Sequence, residues 1–121
     1  MAGNVRWYGP EVLGAMHLRA ARNLDAAGFV LENEIRNDLM RTPFPPASAP
    51  GEVPHYRSQD LARSITHEVD MGGLVCRVGP SHTNKYGVFL ELGTARMEPR
   101  PFLRPALART RRKLLRIIGR P

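Results

Sequence analysis

The chain has 121 residues, of which 42% are hydrophobic and 24% charged, and its formal net charge is +7. This length and composition predict a single soluble domain, residues 1–121, with one modest core. One cysteine, Cys76, excludes an intrachain disulfide framework and favours a reducing compartment. No apolar run approaches the length of a membrane span, so we expect no membrane partner. Residues 1–12 lack the apolar stretch of a signal peptide, so we expect none.

The positive charge is concentrated near the C-terminal end of the sequence. Residues 1–98 carry ten basic and eleven acidic side chains, whereas eight basic and no acidic residues follow Glu98. The charge is therefore predicted to belong to one basic helix and not to the whole fold.

The first predicted element is a long amphipathic helix over residues 10–40. Pro10 suits a first helical position, and Glu11 favours the positive end of the helix dipole. Gly14 and Gly28 would each weaken the helix by roughly 1 kcal/mol relative to Ala, which a close packing partner would explain. Apolar residues at spacings of three and four predict one buried stripe, namely Leu13, Met16, Ala20, Leu24, Ala27, Leu31, Ile35 and Leu39.

Two further apolar residues, Leu18 and Phe29, lie on the opposite side of this helix. Their separation of eleven residues places them about 20° apart around the helix axis. Either they form a subunit interface or a loop of the same chain covers them.

A proline-rich loop over residues 42–57 follows the helix. Five prolines between Thr42 and Pro54 exclude a helix or a central strand. Phe44 in this loop is a candidate interface residue if the loop folds onto a partner, and a solvated linker is the alternative.

A short helix and a β-hairpin are predicted next. Ser58 can cap the helix, with Leu61 and Ile65 facing inward. Alternating apolar residues predict strands over 65–71 and 74–78, and Gly72-Gly73 between them would supply the positive-φ positions of a tight turn.

Glycine and proline residues define the elements predicted between the hairpin and the last helix. Residues 86–92 favour a helical turn that Gly93 ends, and residues 96–100 favour a third strand. The last helix opens near Pro101 and runs to about Ile118. Its predicted buried stripe is Leu103, Ala106, Leu107, Leu114, Ile117 and Ile118.

The polar side of the last helix is rich in arginine. Leu115 falls among these arginines and is a further candidate for a subunit contact. Duplex DNA bound non-specifically, acidic patches on other proteins and a solvated face are all open interpretations. Aromatic residues that would stack single-stranded bases are lacking here. The candidate contacts to DNA or to a partner are Arg104, Arg109, Arg111, Arg112 and Arg116.

The sequence contains no catalytic or metal-binding pattern. The four histidines lack metal-ligand spacing, so no metal and no cofactor is expected. Cys76 is most simply a small core residue. Glu91 is predicted to be a structural carboxylate that pairs with an arginine or caps backbone amides, and not an acid–base partner of Glu98. We therefore expect a protein that is not an enzyme.

Three segments, in order, resemble one protein family. They are Ser58-Gln59-Asp60-Leu61-Ala62-Arg63-Ser64-Ile65, then Tyr86-Gly87-Val88-Phe89-Leu90-Glu91-Leu92-Gly93-Thr94, then Pro101-Phe102-Leu103-Arg104-Pro105-Ala106. Together they resemble the tail-completion, or head–tail joining, proteins of long-tailed bacteriophages and related prophage or gene-transfer particles. The family pattern has Thr-Gly at the start of the first segment, Ala at position 87 and an aromatic residue at position 92. These departures concern local turn geometry.

The resemblance implies an α+β protomer, with a small antiparallel sheet packed against the long N-terminal helix and the basic C-terminal helix. It implies a structural role for the motif residues, in fixing the last helix against the sheet and holding the preceding turn. These residues are Tyr86, Glu91, Gly93, Thr94, Pro101, Phe102, Leu103 and Pro105.

The resemblance also implies a place in the virion. Such protomers form a ring, expected to be six-fold, in the neck between capsid and tail, after assembly in the host cytoplasm. The implied partners are further copies of the chain, the connector or stopper protein, the tail terminator or tail tube protein, and packaged double-stranded DNA. A terminator or another neck ring is the alternative within this class. A basic duplex-DNA-binding accessory protein is the alternative of another class, and a small enzyme built on Cys76 has almost no support.

Overall fold

A single helix, α1 (Gly9–Leu39), provides the surface on which the other elements pack. In this computed structural model the residues described are 7–42, 46, 48–54, 60–81, 90–95 and 98–121. The protein is α+β, as predicted. The other elements within these residues are α2 (Asp60–Ser64), β1 (Ile65–Asp70), β2 (Val75–Pro80) and α3 (Leu103–Ile118).

The hairpin and α3 both pack against the middle and C-terminal parts of α1. Helix α3 runs antiparallel to α1, because Asn23 Nδ2 donates to the carbonyl oxygens of Ile118 and Arg120 while Arg109 pairs with Asp38. The main core lies where all the elements meet, and a smaller cluster of Ala27, Leu114 and Ile117 joins the two helices. The main core consists of Ile35, Leu39, Ala62, Ile65, Leu90, Phe102 and Ala106.

The predicted stripe of α1 is buried only over its second half. Ile35 and Leu39 are almost fully buried, as predicted, but the prediction was wrong for Leu13 and Met16, which are 65% and 60% exposed. The physical reason is length. At 1.5 Å per residue, α1 is roughly 46 Å long and α3 only about 24 Å. Neither α3 nor the hairpin reaches the first two turns of α1.

The buried stripe of α3 is narrower than predicted. Ala106, Leu114 and Ile117 are buried, and Thr110 is buried with its hydroxyl donating to the carbonyl oxygen of Ala106 at 2.7 Å. The prediction was wrong for Leu107 and Ile118, which are 49% and 39% exposed. Both lie beside the buried stripe of α3 and not at its centre.

The hairpin turn differs from the predicted one. β1 and β2 pair antiparallel with Asp70 opposite Val75, so the loop has four residues, Met71–Leu74. The positive φ belongs to Leu74, at 51°, and not to the two glycines. The Asp70 carboxylate accepts hydrogen bonds from the backbone N–H groups of Gly72 (2.9 Å) and Gly73 (3.2 Å), which fixes the loop.

The sheet has two strands within the described residues. The third strand predicted over residues 96–100 is not seen in its described part, since residues 98–100 have no strand conformation. The N–H group of Arg100 donates instead to the carbonyl oxygen of Leu90, at 2.6 Å. Pro99 and Pro101 have no N–H group to give to a strand partner.

The described part of the proline-rich loop is held against the segment before α3. The N–H group of Gly51 donates to the carbonyl oxygen of Pro99 at 2.9 Å, and Arg100 Nε donates to the carbonyl oxygen of Ser48 at 3.1 Å. Ser48 and Pro54 are buried. Phe44 and Ser58 lie outside the described residues.

Gly28 marks the closest approach of α1 to the hairpin. A Cβ atom at this position would lie 2.6 Å from Cys76 Sγ and 2.8 Å from His67 Cδ2, whereas a Cβ atom at Gly14 would meet nothing within 4 Å. A packing partner therefore explains Gly28 but not Gly14.

We expect the two glycines to respond oppositely to alanine. Gly28→Ala should lower the free energy of unfolding by about 1–3 kcal/mol, because the hairpin must move away from α1. Gly14→Ala should raise it by up to about 1 kcal/mol through helix propensity. Urea denaturation of the two variants measures this, and equal effects would contradict the close approach at Gly28.

Candidate functional site

The carboxylate of Glu91 closes the N-terminal end of α3. It accepts hydrogen bonds from the backbone N–H groups of Phe102 (2.7 Å), Leu103 (3.0 Å) and Arg104 (3.1 Å). Phe102 occupies the N-cap position, where its side chain has no oxygen to accept a hydrogen bond from the first N–H groups of the helix. Of the two types of partner predicted for Glu91, arginine or backbone amides, the structure shows backbone amides.

Proline completes this cap. The first four N–H groups of a helix have no acceptor within the helix. Here three of them bind Glu91, and the fourth position is Pro105, which has no N–H group. The Glu-Leu-Gly turn and the Pro-Phe-Leu-Arg-Pro segment therefore form one structural unit.

The turn that carries Glu91 is anchored on both sides. Leu90 and Phe102 are both buried in the main core, with 2% and 0% exposure. Residues 90–92 are helical, Gly93 has φ of 76°, and Thr94 forms an isolated β-bridge. The helical part thus ends at Gly93, as predicted. Tyr86 lies outside the described residues.

The helix cap at Glu91 can be tested with a matched pair of glutamates. We expect Glu91→Ala to lower the free energy of unfolding by about 2–3 kcal/mol, because three N–H groups lose a charged acceptor. Glu91→Gln should lose less, since one amide oxygen remains. Glu98→Ala, at an exposed glutamate, serves as the control and should change stability by less than about 0.5 kcal/mol. Equal losses for Glu91→Ala and Glu98→Ala in urea denaturation would contradict the cap.

Arg109 connects α3 to α1. Its guanidinium donates to Glu34 Oε1 (Nη2 at 2.8 Å and Nε at 3.0 Å) and to Asp38 Oδ2. The carboxylate of Asp38 is almost fully buried and also accepts from Arg41 Nη2 at 3.1 Å. Hydrogen bonds to Asp38 and then to Glu34 raise the pKa of Arg109, which stays charged. Arg109, a predicted contact to DNA or a partner, thus already binds two carboxylates within the protein, while its side chain is 46% exposed.

The other four predicted arginines form an exposed basic surface. We call Arg104, Arg111, Arg112 and Arg116 the arginine face. Among the described residues the ion pairs involve Arg36, Arg41, Arg109 and His67, and none involves the arginine face. Leu115 is 56% exposed beside these arginines. Its place on the surface of the basic helix agrees with the sequence pattern.

Leu18 and Phe29 are also exposed, on the side of α1 next to the hairpin. The ring of Phe29 meets that of His67 edge-to-face, with 6.3 Å between ring centroids and an interplanar angle of 69°. His67 in turn hydrogen-bonds Asp25 Oδ1 through Nε2 (3.0 Å) and Glu32 Oε2 through Nδ1 (3.3 Å). Two carboxylates and an aromatic ring thus fix the position of His67.

A second exposed apolar surface, which the sequence did not reveal, lies at the start of α1. We call it the apolar overhang. It consists of Trp7, Tyr8, Val12, Leu13 and Met16, all more than half exposed and up to 80% for Trp7. The only signal in the sequence was the unbroken apolar periodicity of the helix. That periodicity gives no information on how far along the helix the partner elements extend.

A groove lies beside the capped end of α3. We call it the proline groove. It has a volume of about 450 Å³ and is lined chiefly by Leu92, Pro99, Pro101, Arg104, Pro105 and Ala108. Glu91 also lines the groove, and its carboxylate is bound to backbone amides.

Cys76 does not have the environment of an activated nucleophile. Burial, and then the negative charge of Asp25, raise the pKa of its thiol. A nucleophilic cysteine needs the opposite shift, toward the thiolate. Within the described part of the chain, no group of three or more His, Cys, Asp or Glu residues could hold a metal ion. The described helices include none with the length and hydropathy to cross a membrane.

No family model, curated protein or solved structure matches the chain.

Proposed function

We propose that the chain is a structural protein of the head–tail interface of a long-tailed phage or related particle. It forms a ring that completes the tail tube and joins it to the connector or stopper of the DNA-filled capsid. Further copies of the chain, these neighbouring neck and tail proteins, and packaged DNA are its partners. It has no catalytic role in this proposal.

The observation that carries this proposal is the hydrogen bonding of Glu91. The two most specific segments of the resemblance, Tyr86–Thr94 and Pro101–Ala106, are separate in the sequence. The Glu91 carboxylate binds the N–H groups at the start of the second segment, and Pro105 occupies the remaining capping position. This contact gives a physical reason for Glu in one segment and for Pro-Phe-Leu-x-Pro in the other. It supports the resemblance as a shared structural unit.

The surface of the protein also supports an assembly role. The apolar overhang is large for a single small protein, and such surfaces mark interaction sites. Leu18 and Phe29 form a smaller exposed apolar pair. The arginine face suits either DNA phosphates in a conduit or acidic surfaces of neighbouring neck proteins.

The joining role predicts a ring at one end of the tail tube. The native mass of the purified protein should be measured alone and after mixing with tail tubes assembled without it, and the tube ends should be imaged by electron microscopy. We expect a ring at one end only, of six subunits, whether or not the ring forms in solution. Tubes that stay bare at both ends would contradict the joining role.

A duplex-DNA-binding accessory protein is the second candidate, and it is favoured by the arginine face, which forms no ion pair with the residues that the structure describes. Its affinity for DNA should fall steeply with salt, because each neutralised phosphate releases counterions. Replacing Arg111, Arg112 and Arg116 by Gln should flatten that dependence, whereas Arg19→Gln on α1 serves as the control. If no duplex binding is detected at low salt, this candidate is eliminated.

A further inference from the structure

We propose that one exposed side of α3 binds an amphipathic helix of a different protein, one that carries acidic residues beside its apolar stripe. This side of α3, which we call the leucine–arginine stripe, consists of Arg104, Leu107, Arg111, Leu115 and Ile118. The inference rests on the joining role, in which neighbouring neck and tail proteins are the partners. It assigns a protein, and not DNA, to this side of the helix.

The residues of the stripe have the spacing of a helix-packing surface. They follow one another at intervals of three, four, four and three residues. At 3.6 residues per turn, these intervals keep the five side chains within an arc of about 80° and over a length of roughly 21 Å. Side chains in such rows form the ridges that pack against a second helix.

The stripe is distinct from the buried side of α3. The buried side is centred about 100° away around the helix axis, and it consists of Ala106, Thr110, Leu114 and Ile117. The aliphatic side chains of the stripe, those of Leu107, Leu115 and Ile118, are between 39% and 56% exposed. Helix α3 thus has two rows of apolar side chains, and its own chain buries only one of them.

The charges on and beside the stripe are all positive. Arg104 and Arg111 belong to it, Arg112 lies next to it, and α3 contains no acidic residue. None of these three arginines forms an ion pair with the residues that the structure describes. Arginine binds carboxylates in a bidentate manner and is enriched in protein interfaces. A helix with carboxylates along the edge of its apolar stripe is therefore complementary to this surface.

The aliphatic side chains favour a protein partner over duplex DNA. The DNA backbone is bound by cationic and polar side chains, so leucine and isoleucine between the arginines add nothing to non-specific DNA binding. An apolar partner that covers Leu107, Leu115 and Ile118 removes their surface from water, which stabilises the complex.

A second copy of the chain does not provide the complementary acidic surface, because most of its carboxylates are engaged. The acidic residues that bind groups of their own chain are Asp25, Glu32, Glu34, Asp38, Glu52, Asp70 and Glu91, and Asp60 is not free either. The remaining ones, Glu11, Glu68 and Glu98, lie on α1, on β1 and before α3. No helix in the described part of the chain therefore presents a row of free carboxylates.

The test measures binding of the full chain to a designed helical peptide of about 20 residues, long enough to span the stripe. The acidic peptide has leucines at intervals of three and four residues with glutamates beside them. A matched peptide has lysine in place of each glutamate, and a duplex DNA is measured at the same salt concentrations.

Four variants of the chain separate the two parts of the stripe. Leu107→Gln and Leu115→Gln remove apolar surface and keep the charge, whereas Arg111→Gln removes a charge. Met71→Gln serves as the control, at a residue of the hairpin loop that is 48% exposed. All four substitutions are at exposed positions, so we expect unchanged thermal unfolding midpoints.

We expect wild type and Met71→Gln to bind the acidic peptide equally and the lysine peptide not at all. Leu107→Gln and Leu115→Gln should each weaken binding of the acidic peptide by at least about fivefold and leave duplex binding unchanged. Arg111→Gln should weaken peptide binding most at low salt, since salt screens exposed charges.

Three results would overturn the docking. The first is an acidic peptide that does not bind at millimolar concentration, or that binds both leucine variants as tightly as wild type. The second is duplex DNA that binds more tightly than the acidic peptide at physiological salt, which would assign the stripe to DNA. The third is self-association of wild type that Leu115→Gln abolishes, which would assign the stripe to a second copy of the chain.

Imaging of tail tubes mixed with the same proteins separates this docking from the neck role. A ring at the tube end, formed by a chain that does not bind the acidic peptide, removes the docking and leaves the neck role intact. Peptide binding with the expected pattern, by a chain that leaves the tubes bare, removes the neck role and leaves the docking intact.

Discussion

The difference in length between α1 and everything that packs on it determines the rest of the structure. Helix α1 has 31 residues and α3 has 16, so roughly 46 Å of helix is matched by about 24 Å. Six-residue strands add only about 20 Å along their own direction. The core therefore forms around Ile35 and Leu39, and the apolar periodicity of α1 continues into solvent. A shorter α1 would have left no overhang.

Over the part of α1 on which the other elements pack, charged side chains set the position of α3. Glu91 binds the start of the helix, and Arg109 ties its first half to the buried carboxylate of Asp38. Breaking a buried ion pair by removing one partner is costly, since a charge is left without compensation. These two contacts place the arginine face outward and the proline groove at the end of the molecule remote from the overhang. The surface available to partners is thus a consequence of how the core is held.

Much of the fold could be predicted from local patterns. Proline, glycine and periodicity identified α1, the hairpin and α3, and the spacing of Leu18 and Phe29 predicted their shared exposed side. The errors concern contacts between elements. The turn at Gly72-Gly73 depends on the Asp70 side chain, and the described part of the predicted third strand, residues 98–100, lies next to prolines at 99 and 101 that have no N–H group for a strand partner. The sequence alone did not distinguish Arg109 from the other arginines of α3, because the carboxylates that bind it are more than seventy residues away in the chain. The sequence did not reveal the overhang, because apolar periodicity identifies the face of a helix that can be buried but not how much of that face other elements cover.

Amide hydrogen exchange of the two halves of α1 tests the central claim most directly. Peptides covering residues 9–16 and 27–35 should be compared in the free protein and in the ring assembled on tail tubes. The account predicts faster exchange over 9–16 in the free protein and a slowing of roughly tenfold or more on assembly, with 27–35 unchanged. Exchange over residues 9–16 that is identical before and after assembly would show that no neighbour in the assembly covers the exposed end of α1.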